Sequence, residues 1–225
     1  MDLGDTLGPR GLRIDRAKSS YYNKLIKLMV AEFMGSYQCF APGEIRLVDK
    51  ALEIAEDLTC NHYHISAGNW KKYGFEVLNL VQLREEEITP FGLAQIARYV
   101  QPTPERLPVY GLRDYYRICL QDHNILQVVH RGEGVDLFPL MVYVLTHELV
   151  HVVRFRKFME RFDADNEAKA AEESRVHQTT YDILRLLKGV NLNPVFDCYE
   201  GLRSEGPHSE ICDNRVWEIS PGPKK

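Results

Sequence analysis

Residues 144–155 read VLTHELVHVVRF and set His147, Glu148 and His151 inside an otherwise apolar run. On a helix, residues i and i+4 stand one turn apart on the same side, so His147 and His151 would present two imidazoles to one point in space. Two such nitrogens can bind one metal ion. Glu148 falls about 100° further round the helix, where a carboxylate approaches the open side of a metal without having to ligate it. That is the place for a general base that takes a proton from a metal-activated water. A metal would also explain why titratable groups occupy a segment apolar enough to be buried, because ligation compensates polar groups whose bare burial is costly. The plainer reading is a core helix whose two histidines are satisfied by ordinary hydrogen bonds.

The elements that must position these residues follow from periodicity and punctuation. Asp136 and Pro139 suit the start of a long helix over about 137–160, apolar nearly all round in its middle. A turn at Asp163–Asn166 leads into EAKAAEESRVHQTTYDILRLLKG, a helix with Glu167 in its first turn and Gly189 as its close. Upstream, residues 1–16 read as a flexible lead. Residues 17–37 repeat Tyr22, Leu25, Leu28, Met29 and Phe33 at helical spacing. A second helix follows Pro42 and Gly43, carried by Ile45, Val48, Leu52, Ile54 and Ala55.

The middle of the chain has a different texture. NHYHIS and YGFEVLNLVQLR read as strands, and TPFGLAQIARYV as a helix capped by Thr89 ahead of Pro90. RICLQDHNILQVVH reads as a hairpin turning at Asp122, His123 and Asn124. Residues 190–225, rich in Gly, Pro, Asn and Ser, read as an arm. The expectation is one α+β domain over 17–189, with a small mixed sheet, N-terminal helices and a C-terminal helical hairpin carrying the His-Glu-x-x-His motif.

The bulk composition narrows the function classes. With 28 Lys and Arg against 32 Asp and Glu, the net charge is −4 and the two signs are interleaved, so no surface built for nucleic acid or anionic lipid is expected. No apolar run reaches the roughly 18–20 residues of a membrane span, and the first residues form no signal region. Cys39, Cys60, Cys119, Cys198 and Cys212 are odd in number and lack paired spacings, which favours a reducing compartment, the cytoplasm.

The segment His147-Glu148-Leu149-Val150-His151 resembles the active helix of the zincin metallopeptidases. That resemblance covers the motif and the helix after it. It implies a catalytic Zn2+, a small twisted sheet beside the active helix, and hydrolysis of a peptide or protein substrate with Glu148 as general base. The residues after His151, VVRFRKF, lack the Gly and His of the metzincin branch. The gluzincin arrangement, in which a Glu from the next helix is the third ligand, remains, and it offers Glu167, Glu172 and Glu173. If the two helices fold back on one another, positions near 173–177 reach the level of the histidines. Glu173 is favoured, because His177 then lies one turn later on the same face and can orient a ligand. Glu172 is the close rival, and His177 itself is a possible ligand.

Other readings stay open. Peptide deformylases share the motif but take an upstream Cys, here Cys119 in RICLQ. A ferritin-like di-iron site needs a second Glu-x-x-His, and Glu205 to His208 encloses Gly206 and Pro207. A zincin-like domain that binds metal without catalysis, as a regulatory or interaction module, is the main alternative. Lesser signals are His62 and His64 on one strand face with Cys60, a tail thiol from Cys198 or Cys212 near His208 that could block the metal, and Tyr181 as an oxyanion donor. Oligomeric state and substrate identity leave no mark in the sequence.

Overall fold

The computed structural model of the protein describes residues 37–101, 113–131, 134–159 and 165–203. The chain divides into two compact units, residues 1–37 and 38–225. The helix expected over 17–37 lies outside the described residues apart from Tyr37.

Helix α1 spans Pro42–His62, with Pro at its start and the Glu44 carboxylate accepting from the Ala41 backbone amide at 2.7 Å. Its buried residues, Val48, Ala51, Ala55 and Thr59, recur at three- and four-residue intervals and face the long core helix, where the two small alanines allow close packing. A single-turn helix α2, Ala67–Trp70, capped by Ser66, leads to strand β1, Phe75–Leu78. Strand β2 runs Ala94–Gln101 and β3 Arg113–Leu120. The three strands form one mixed sheet in the order β1-β3-β2, with β1 parallel and β2 antiparallel to β3. The register sets Ile96 opposite Ile118 and Ala94 opposite Leu120, so one face of the sheet is apolar and buried.

Helices α3, Asp122–His130, α4, Leu137–Arg156, α5, Asn166–Leu184, and α6, Asn193–Arg203, follow among the described residues. α4 is the core helix: Phe138 apart, all its residues from Leu137 to Phe155 are buried. By length and composition alone it could cross a membrane, contrary to the expectation that no apolar run is long enough. Of its apolar window, 94% is buried inside the fold. Tyr116 on β3 stacks against Phe155 at its end, joining helix to sheet with centroids 5.5 Å apart.

The α+β class and the small mixed sheet agree with the sequence reading, whereas several elements differ. TPFGLAQIARYV is mostly strand β2, because its residues are buried continuously from Gly92 to Ala97, a pattern that periodicity cannot separate from a helix. Thr89 caps no helix, and its hydroxyl accepts from the Phe91 amide. RICLQDHNILQVVH is a strand followed by a helix. Asp122 makes no hairpin turn, and its carboxylate accepts from the amides of Phe40 and Leu80, both at 3.0 Å.

NHYHIS is the end of α1 and the turn after it, with His64 at φ 53°, so His62 and His64 share no strand face. The strand expected over 73–84 is confined to β1 and gives way to 3-10 turns at Leu80–Gln82 and Glu85–Glu87. α5 ends at Leu184, short of Gly189. The arm after residue 190 contains α6, whose Val195 and Tyr199 are buried at helical spacing.

Candidate metal centre

α4 presents its two histidines one turn apart, as the sequence implies, and their ring centroids stand 4.9 Å from each other. α5 packs antiparallel to it after a start fixed by Asp165, whose carboxylate accepts from the Ala168 amide at 2.8 Å. This brings Glu173 to the level of both histidines. Glu173 Oε1 lies 2.9 Å from His147 Nε2, and Oε2 lies 3.2 Å from His151 Nε2. One turn further along α5, His177 Nε2 lies 3.5 Å from Glu173 Oε1, and its other nitrogen, Nδ1, is 2.8 Å from the Tyr143 hydroxyl.

The rival Glu172 is turned elsewhere. Its carboxylate takes a hydrogen bond from Arg154 Nε on one oxygen and from Arg175 Nη1 on the other. Both acceptors are committed, and Arg154 is itself buried on α4. This pair ties α5 to α4 beside the centre, and it makes Glu173 the carboxylate of the adjacent pair that meets the histidines. Charge-assisted bonds of this kind are roughly twice as strong as neutral ones.

His147, Glu173 and His177 each offer one donor atom, all within 4.8 Å of one another, and can hold a metal ion. Donors bound about 2 Å from a shared ion stand roughly 3.4 Å apart when four surround it, and Glu173 Oε1 lies 2.9 Å from His147 Nε2 and 3.5 Å from His177 Nε2. His151, which meets the other carboxylate oxygen, is not one of the three. The buried atoms Glu173 Oε1 and His177 Nε2 make no well-formed hydrogen bond. Two buried groups that approach closely without a shared proton are what ligation by a cation would satisfy.

Electrostatics agree with that donor set. Burial alone would raise the carboxyl of Glu173, yet the imidazoles of His147 and His151 hold it well below the usual carboxylate range, so it carries its charge. Burial, joined by the neighbouring His147, holds His177 well below the ordinary histidine value, which keeps the ring neutral with a lone pair to give. Part of the Glu173 side chain, 23%, remains exposed. The centre therefore touches solvent along one edge, while His147, His151 and His177 are enclosed.

Glu148 is buried on α4 between His147 and His151. Its charge reaches Cys119 on β3, whose thiol is pushed up first by burial, with the carboxylates of Glu87 and Glu148 adding to the shift. Cys119 is not among the three grouped donors, which leaves the deformylase-like arrangement without support. Tyr181 lies in an aromatic layer, edge-on to Phe196 at 4.9 Å and under the Arg203 guanidinium at 4.0 Å. Cys198 is half-buried on α6, and His208 and Cys212 lie outside the described residues.

Sequence reasoning missed Tyr143, Arg154 and Tyr199. Tyr143 had a usable signal, lying four residues before His147 and so on the same helical face. Tyr199 stacks on Tyr143 with centroids 4.4 Å apart and on His177 at 5.5 Å. Comparison of the chain with models of protein families, with curated proteins and with solved structures finds no match.

Proposed function

We propose that the protein is a zinc-dependent hydrolase of peptide or amide bonds, built on a zincin-like arrangement of the gluzincin kind. The observation that carries this reading is the Glu173 carboxylate set between His147 Nε2 and His151 Nε2 at 2.9 and 3.2 Å. Two imidazoles one helical turn apart and a carboxylate from a second helix make a donor set that suits Zn2+. The small mixed sheet against the end of α4 accords with the same architecture.

His147, His151 and Glu173 would hold the ion, and the negative charge of Glu173 would offset part of its charge. When bound, zinc supplies a Lewis acid for the substrate carbonyl and lowers the pKa of a water to about 7. Glu148, buried next to His147, would be the base that accepts a proton there and passes it to the leaving amine. The Arg154–Glu172 pair holds the α4–α5 register on which the ligand geometry depends. A peptide or protein in the cytoplasm is the substrate class that this reading implies.

The test is Glu148→Gln. Zinc content should stay near one per chain while hydrolysis of a peptide library falls by several orders of magnitude. Unchanged turnover would remove the role given to Glu148.

A second reading, a metal-stabilised domain without catalysis, is favoured by one observation: His147, Glu148, His151 and His177 are all buried residues, with the largest relative exposure 5%. Structural zinc sites are closed in this way. It expects one zinc per chain, no hydrolysis by the wild type, and a large fall in melting temperature when zinc is chelated.

A further inference from the structure

The sequence left His177 with two roles, orienting a ligand from behind or ligating itself. A histidine in the orienting role donates its ring N–H to the carboxylate it supports, at ordinary hydrogen-bond distance. His177 does not do this. Its Nε2 stands 3.5 Å from Glu173 Oε1, and that nitrogen, although buried, makes no hydrogen bond. The ring's other nitrogen is engaged by the Tyr143 hydroxyl at 2.8 Å. If Nδ1 carries the proton and donates it to Tyr143, Nε2 turns a lone pair toward the carboxylate oxygen. Two acceptors facing each other in a buried space repel, unless a cation lies between them. The ring is also close to the other donors, its centroid 4.4 Å from that of His147. Tyr199 on α6 stacks on both His177 and Tyr143 and holds the pair in place.

We infer that His177 is itself a metal ligand, its Nε2 joining the donors of His147 and Glu173, which lie within 4.8 Å of it and of one another, while Tyr143 fixes the imidazole tautomer. This inference rests on the zinc reading above and changes its coordination: His177 rather than His151 is the third protein donor, and a fourth position is left for water. Tyr199 on α6 stacks on the His177 ring and holds it there.

The experiment uses the full chain reconstituted with Zn2+ or Co2+. Zinc affinity is read by competition with a chromophoric chelator, and cobalt coordination by visible absorption. The wild type should show the intense bands of four-coordinate Co2+. His177→Ala should bind zinc more than about 100-fold more weakly and shift cobalt to the weaker bands of a site with more water, since losing even an orienting neighbour costs about 10–100-fold. Tyr143→Phe should keep the four-coordinate spectrum and weaken zinc within that smaller range. His177→Gln, which retains a polar side chain, and thermal unfolding of each metal-free variant separate ligation from misfolding.

A His177→Ala protein that folds and keeps both the wild-type spectrum and affinity overturns the assignment of His177 and leaves the zinc reading standing. A wild type that takes up neither metal overturns both.

Discussion

Two buried polar clusters in this molecule are built by opposite rules. At the junction of β3 and α3, Gln121, Asp122 and Asn124 are buried, and their polar groups end on backbone partners. Asp122 accepts from Phe40 and Leu80, Gln121 donates to the Glu87 carbonyl at 2.9 Å, and Asn124 donates to the Gly92 carbonyl at 2.8 Å. Between α4 and α5, three imidazoles converge on one carboxylate, and His177 Nε2 makes no hydrogen bond. The first cluster is complete as protein alone and pins loops distant in sequence. The second makes physical sense with a cation at its middle. Satisfied polar groups mark architecture, and converging unsatisfied ones mark a binding site.

Substitutions can break the comparison. The largest effect is expected at the junction. Asp122→Ala strands two buried amides at about 1–3 kcal/mol each. A total loss of about 2–6 kcal/mol should appear in urea unfolding, with the zinc affinity of the fraction that stays folded unchanged. A junction variant of normal stability would mean that the cluster is not structural.

Glu173→Ala is the reciprocal case. It should weaken zinc by more than about 100-fold, beyond the cost of losing an orienting neighbour, in an assay by chelator competition. The metal-free protein should unfold only slightly below the wild-type temperature, because the attraction of the imidazoles of His147 and His151 for the carboxylate goes with it. A marked fall in metal-free stability would turn the site into a second architectural cluster.

The smallest effect sharpens the contrast on the far face of the sheet, where Glu87 binds Tyr99 and Arg117. Burial pushes the Glu87 carboxyl up, but the hydrogen bonds from the Tyr99 hydroxyl, the Arg84 amide and Arg117 together hold it below the ordinary value. A carboxyl lowered on folding contributes stability above its unfolded pKa of about 4.3. That contribution is lost as pH falls through the folded value. Stability measured between pH 6 and pH 3 should therefore decline less steeply in Glu87→Gln than in the wild type.

The legible parts of the structure were those governed by local rules. The i, i+4 spacing of His147 and His151, the long apolar run of α4 and the fold-back of an acid-rich helix were enough to bring Glu173 forward as a ligand. The choice between Glu172 and Glu173 could not be settled by spacing, because it depends on Arg154, a charge whose burial no local pattern reveals. The strand at 94–101 was misread for a related reason: burial on both faces erases the alternation that distinguishes strand from helix. The hairpin expected at 122–124 failed because Asp and Asn act there through tertiary contacts with Phe40, Leu80 and Gly92, and a turn uses the same residue types. α6 was passed over because Gly and Pro nearby masked the helical spacing of Val195, Tyr199 and Leu202.

The near-total enclosure of α4 also makes it a costly element to uncover. Any opening of the fold that bares it exposes an apolar window of which 94% is otherwise hidden. Glu173 and His177 come from α5, so the two sides of the polar centre meet only where that helix packs on α4.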